Sequence, residues 1–272
     1  MQSLRKMVVV VTGASAGLGR HLALQAGRQG AKVALLARRE NKLKELQKII
    51  LGEKGEASPI PTDVTNPKAV RDAFMEIEST WGEVDILFNS AGVVEPIAPL
   101  LKTSDTELLT SLKTNVFGVY IATREALRQM VKQEKGGTVI NITSGAAQHP
   151  YAGWTAYCSQ KAAVDMFTRT LAMEAQNRNI RIAAISPGTF ESHMQQTIRA
   201  TSEEDFPARP KFIKLYEEGK LADPDDVAQV LLQISLTKWP ELNGQVADLR
   251  SPDFKTECTR HGVEIDKLYI EF

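Results

Sequence analysis

Short apolar runs alternate along the chain with longer stretches whose apolar positions recur every three or four residues. The runs Val8–Thr12, Lys32–Ala37, Ile60–Asp63, Val84–Asn89, Thr138–Thr143 and Ile180–Ser186 are rich in Val and Ile. Continuous runs of this kind predict strands buried on both faces. Between them the helical period predicts helices over Leu18–Gln29, Asn41–Leu51, Pro67–Trp81, Leu112–Lys132 and Ala156–Gln176. Parallel neighbours need crossover connections, and a helix between successive strands supplies them. The expected fold is therefore α/β, a doubly wound parallel sheet with helices on both faces.

No Pro/Gly/Ser-rich linker breaks this rhythm, so residues 1–250 read as a single domain. Its helical bursts near 190–222, interrupted by Pro207 and Pro210, leave the carboxyl end of a strand, where ligands bind in such sheets. A substrate-covering lid is expected there, with a plain surface loop as the alternative. Residues 251–272 read as a polar C-terminal tail.

Composition narrows the function classes. The 33 basic residues balance the 33 acidic ones, which leaves no electrostatic footprint for nucleic acid. No apolar run approaches the roughly 18 to 20 residues a membrane span needs, and Met7–Val11 is too short for a secretion signal. Cys158 and Cys258 form no disulfide framework and no metal pattern with the four histidines. A cytoplasmic protein without metal is the expected setting.

Two features carry chemistry. Val8–Thr12 runs straight into Gly13-Ala-Ser-Ala-Gly17-Leu-Gly19 and then a helix, the context that a dinucleotide phosphate turn requires. Glycines allow close approach of backbone to a diphosphate, and the helix N-terminus supplies free N–H groups. The second strand ends Ala37-Arg38-Arg39, without the acid that would bind a ribose 2′-hydroxyl. A guanidinium at Arg38 suits a 2′-phosphate instead. Further on, Tyr157 and Lys161 lie four apart on one helical face, and Ser144 ends a strand upstream. A tyrosine beside an ammonium is a sensible acid/base, and a hydroxyl at Ser144 can hold an oxygen whose charge changes during reaction.

Taken together, Thr12-Gly13-x-x-x-Gly17-x-Gly19, Asn115, Ser144 and Tyr157-x-x-x-Lys161 resemble the short-chain dehydrogenase/reductase family, from about Lys6 to about Asp248. The resemblance implies a Rossmann-type fold and an NADP(H)-dependent oxidoreductase acting on C=O or CH-OH groups. It assigns Asn115, Ser144, Tyr157 and Lys161 to catalysis, with Asn115 holding a proton-relay water and Lys161 binding the nicotinamide ribose and lowering the tyrosine pKa. Gly13, Ser15, Gly17, Leu18 and Gly19 fall to the diphosphate turn, Arg38 to the 2′-phosphate, and Asp63 and Val64 to the adenine. Asn89, Ala91 and Gly92 lie beside the cofactor, Asn89 mainly securing the sheet. Pro187, Gly188, Thr189 and Ser192 face the nicotinamide. Ala16 stands where NADP-preferring members often carry a second basic residue, which leaves exclusion of NAD open.

A finer resemblance, over Glu191–Gln196, Arg199–Ser202 and Glu218–Leu221, points to the branch holding sepiapterin reductase and the benzil reductases, which reduce vicinal dicarbonyls. It implies that Asp248 anchors a pterin amino group; apart from the resemblance, Ser144 and the aromatic and methionine residues Trp154, Phe190 and Met194 are expected substrate contacts, with ordinary core packing as the alternative for the latter three. His149, Tyr151 and Phe206 are further candidate wall residues. The expected partner is a small-molecule carbonyl substrate, in a homodimer or homotetramer built on the Leu112–Lys132 and Ala156–Gln176 helices. A ketoacyl-thioester reductase of fatty acid synthesis shares the same catalytic group. A non-catalytic NADPH-sensing regulator is the alternative from another class, though Tyr157 and Lys161 are both retained.

Overall fold

The computed structural model describes residues 3–175 and 178–268. Seven strands form one sheet: β1 (Val8–Thr12), β2 (Lys32–Ala37), β3 (Glu56–Pro61), β4 (Ile86–Asn89), β5 (Gly137–Ile142), β6 (Ile180–Ser186) and β7 (Val246–Asp248). Their spatial order is β3-β2-β1-β4-β5-β6-β7, and every adjacent pair is parallel. The residues of β1 are buried throughout, as an all-apolar run sandwiched between two helical layers must be.

Helices α1 (Gly17–Arg28), α2 (Glu40–Gly52) and α9 (Pro224–Leu236) pack on one face through Leu22, Leu46 and Leu231. On the other lie α3 (Pro67–Trp81), α5 (Gly118–Met130) and the end of α6 (Thr155–Glu174), through Phe74, Ile121 and Ala172. Local chemistry sets the boundaries. Asn66 caps α3 by accepting from the backbone N–H of Lys68 and Ala69, Pro67 fills the first position, and Gly82 (φ +82°) ends it in the left-handed region.

The structure corrects three expectations and adds detail to a fourth. The third strand is Glu56–Pro61 rather than Ile60–Asp63; it is an edge strand, where alternate prolines Pro59 and Pro61 leave no ladder donor missing on the paired side. The helix expected over Leu112–Lys132 is preceded by α4 (Asp105–Leu112), capped by a reciprocal Ser104–Glu107 box, and opens into a π turn at Lys113–Phe117 before α5. The region near 190–222 contains α7 (His193–Ala200) and α8 (Arg209–Glu217), which pack on each other. The last segment is no polar tail. Helix α10 (Pro252–Arg260) buries Phe254 and Cys258, followed by Val263 and Ile265, in the core beside α9, and Phe254 stacks on Trp239 at 5.5 Å.

Candidate active site

Strands β1 and β4 are neighbours, yet the chain leaves them toward opposite faces of the sheet. That divergence opens a crevice beyond their carboxyl ends, where ligands bind in this architecture. It holds a cavity of about 680 Å³, walled by the turns after β1, β4, β5 and β6 and by α7 and α8.

The turn after β1 is built for close approach. Gly13 has φ +72°, and a Cβ there would come within 2.8 Å of the Ala91 backbone, so only glycine lets the two strand exits meet. Thr12 ties them further, its Oγ1 accepting from the Ser90 and Ala91 amides. Gly17 (φ +52°) lines the cavity with no atom within 4 Å of where a Cβ would stand. Helix α1 begins there with Ala16 at its N-cap, no side-chain cap and no acid in its first turn. Its first N–H groups and the positive end of its dipole thus lack a protein partner of their own, which fits a diphosphate. Ser15 and Leu18 line the same wall. Gly19 sits behind it: a Cβ would lie 2.6 Å from the Gly13 carbonyl, so this glycine packs the helix against the turn rather than facing a ligand.

Arg38 and Arg39 both line the cavity, Arg39 reaching Ser15 Oγ with Nη2 at 3.0 Å. Asp63 and Val64 line it too, with Asp63 Oδ1 accepting from Thr65. Ala91, Gly92, Pro187, Gly188, Thr189 and Ser192 complete the cofactor-side wall, Ser192 also capping α7. Asn89 does not reach the cavity. Its amide donates to Thr123 Oγ1 and Asn141 Oδ1, each at 2.8 Å, so it secures the centre of the sheet.

Helix α6 presents Tyr157 and Lys161 one turn apart, both buried to within 7% of full coverage yet bordering the cavity. Lys161 Nζ donates to the Ile142 carbonyl at 2.8 Å and stands 5.7 Å from the Tyr157 ring centre. Burial pulls its pKa down to about 8. Burial also pushes the Tyr157 phenol up to about 12, and the Ser144 hydroxyl within hydrogen-bonding reach opposes this only in part. Desolvation outweighs the opposing influence of Ser144 on this phenol, so burial favours its neutral form.

Asn115 stands in the π turn and is 1% exposed. Its Oδ1 accepts from Val93 N, and its amide donates to the Val93 carbonyl and Gln160 Oε1. Both amide hydrogens are spent, so the side chain has no donor left for a water.

At the substrate end, Trp154, Phe190 and Met194 border the cavity with His149 and Tyr151. Phe206 is fully buried behind Trp154, stacked on it at 4.5 Å. Asp248 corrects the anchoring expectation. One oxygen accepts from Arg250 N and Nε and the other from Arg250 Nη2 and Ser186 Oγ, which leaves the carboxylate facing protein donors. Arg250 itself lines the cavity, as do Lys211 and Phe212 from α8. Sequence reading missed all three. The only available signal for Arg250 was a basic residue two places after the aspartate.

The chain belongs to the short chain dehydrogenase family, whose sequence pattern it matches over residues 7–203. It is 35% identical to a benzil reductase of Bacillus cereus that forms (S)-benzoin, across 85% of this chain and 94% of that enzyme. Among solved structures it resembles a short-chain type dehydrogenase/reductase from Mycobacterium marinum, with TM-score 0.81, 28% identity and coverage of 90% and 94%. A 3-ketoacyl-(acyl-carrier-protein) reductase from Brucella melitensis complexed with NADH is also similar, with TM-score 0.79, 26% identity and coverage of 90% and 97%. The chain is thus an oxidoreductase of carbonyl and alcohol groups that uses a nicotinamide cofactor. Among the described residues no helix is long and apolar enough to cross a membrane.

Proposed function

We propose that this chain is an NADPH-dependent carbonyl reductase acting on a ketone or vicinal dicarbonyl. The observation that carries this reading is a buried tyrosine, Tyr157, in one cavity wall with Ser144 and Lys161, beyond the carboxyl ends of β1 and β4. When bound, the reduced nicotinamide supplies the hydride. Ser144 Oγ donates to the carbonyl oxygen and holds it where negative charge develops. Tyr157 Oη donates its proton to that oxygen as the alkoxide forms. A phenol at about pKa 12 is fully protonated at neutral pH, which suits a donor in the reducing direction.

Lys161 has one of its three donors on Ile142, and the others would be available to hold the ribose hydroxyls of the cofactor. Asn115 acts as a brace: its side chain joins the β4 exit to α6. The α1 N-terminus at Gly13–Leu18 would hold the diphosphate, and Asp63 and Val64 would hold the adenine. Arg38 and Arg39 favour a 2′-phosphate, with no acid at Ala37 to repel it. Pro187–Thr189 and Ser192 would hold the carboxamide side of the nicotinamide. Exposed Phe117, Tyr120 and Met166 support self-association through α5 and α6, and the two unpaired cysteines support a cytoplasmic setting.

The test is purified protein with NADPH or NADH against a simple ketone, a 1,2-diketone and an acetoacetyl thioester. NADPH-linked reduction of the diketone is expected to exceed that of the thioester. Preference for the thioester would contradict the reading and favour a ketoacyl reductase.

A further inference from the structure

We infer that Arg250 selects substrates with a second oxygen beside the reacting carbonyl, by donating to that oxygen. The inference rests on the carbonyl-reductase reading and narrows its substrate class to 1,2-dicarbonyl compounds.

Arg250 is held more firmly than a cavity-lining arginine needs to be. Its Nε and Nη2 clasp the two oxygens of Asp248 at 3.0 and 2.8 Å, and its own backbone N–H donates to the same carboxylate at 2.8 Å. Ser186 Oγ fixes the far side of Asp248 at 2.8 Å. The guanidinium thus has one edge fully used and a fixed orientation. Its other nitrogen, Nη1, donates to no protein atom among the described residues, and the residue borders the cavity.

Two glycines make room for this placement. A Cβ on Gly145 would stand 2.9 Å from Arg250 Nη2 and 3.4 Å from Asp248 Oδ2. A Cβ on Gly188 would stand 3.2 Å from the Arg250 stem. The guanidinium therefore spans from the nicotinamide-side loop to the residue directly after Ser144. The oxygens of a 1,2-dicarbonyl sit on adjacent carbons, so a donor for the second must neighbour the donor for the first. Arg250, packed at Gly145 directly after Ser144 and lining the same cavity, is the donor placed to meet that condition.

The charge balance favours a neutral acceptor. Asp248 offsets the guanidinium, so the pair offers directed N–H donors with little net charge, which suits a carbonyl oxygen more than a carboxylate. The same pairing explains why Asp248 is not available as an acidic anchor: a donor group on the substrate would meet an arginine.

The experiment compares benzil, deoxybenzoin (the same skeleton with one carbonyl reduced to methylene) and phenylglyoxylate, a 2-oxo acid. Each is run with NADPH on wild type, Arg250→Met, Arg250→Lys and Gly145→Ala. The readout is the change in kcat/KM of one substrate relative to another, which a general loss of activity does not move. In Arg250→Met, benzil is expected to lose roughly 10- to 100-fold more than deoxybenzoin, the range of a hydrogen bond to a charged donor. Gly145→Ala, which displaces Nη2 without removing it, is expected to shift selectivity the same way. Arg250→Lys retains a cation beside Asp248 and covers the case in which the methionine variant folds poorly; it is expected to lose benzil selectivity with cofactor affinity retained. Equal losses for benzil and deoxybenzoin would overturn the inference while leaving the reductase reading intact. A greatest loss for phenylglyoxylate would overturn it in favour of an anion anchor. Failure of wild type to reduce either ketone would sink the reductase reading and the inference together.

Discussion

Lys161→Met is expected to make the cofactor-free protein more stable at neutral pH while removing its activity. The folded chain carries this ammonium at a site where burial moves its pKa from 10.5 to about 8. At about 1.4 kcal/mol per pH unit, holding the charge there at neutral pH costs roughly 3 kcal/mol. The substitution also deletes the hydrogen bond to the Ile142 carbonyl, a loss of about 1 kcal/mol. The net expectation is a gain of about 2 kcal/mol, or a rise in Tm of roughly 4 to 8 °C for a domain of this size. The pH dependence gives a sharper signature. Between about pH 8 and the unfolded value of 10.5, the unfolded chain binds the lysine proton and the folded chain does not, so wild-type stability rises with pH. Below about pH 8 both states hold the proton and the cost is constant. The mutant lacks this dependence, so its advantage should vanish by about pH 10. Urea unfolding of both proteins at about pH 7 and about pH 10 reads the difference directly. A mutant less stable than wild type at the lower pH, or a gap that does not change with pH, would refute the reasoning.

Two further outcomes are expected. Arg38→Asp should raise the Kd for NADPH at least tenfold while changing that for NADH much less, because it replaces a phosphate donor by a repelling acid; fluorescence titration of both cofactors checks it, and equal losses would leave Arg38 with a structural role. Phe254→Ala should destabilise the protein by about 3 to 5 kcal/mol, since the ring is buried and stacked on Trp239; a change below about 1 kcal/mol would mean that α10 is dispensable to the core.

The central sheet was legible because β1, β2 and β6 are continuous Val/Ile/Leu/Ala runs whose burial needs no tertiary information. The edge was not. Strand β3 reads Glu-Ala-Ser-Pro-Ile-Pro, with two prolines and no apolar run, and its existence depends on pairing with β2. The Ser104–Glu107 box announces α4 in the sequence, but its moderate apolar pattern merges with the next helix unless the cap is weighed. Phe254 and Cys258, spaced four apart in a polar stretch, are a helical stripe too narrow to stand out without the groove they fill. At the site, Gly13, Gly17, Ser144, Tyr157 and Lys161 follow from short spacings on single elements, and the cavity brings them together. The state of the catalytic pair was not readable, because burial is the largest influence on both pKa values. Asp248 was misread for a related reason. Whether a carboxylate is open depends on its partners, and Arg250 and Ser186 come from either side of it in space.

The account stands most directly on Tyr157 as proton donor, and one comparison tests it: single-turnover oxidation of bound NADPH by a 1,2-diketone in wild type and Tyr157→Phe. Phenylalanine keeps the buried ring and removes only the hydroxyl, so cofactor affinity should stay within about twofold while turnover falls by roughly 10² to 10⁴. A variant that binds NADPH normally and retains more than about a tenth of the wild-type rate would contradict that role.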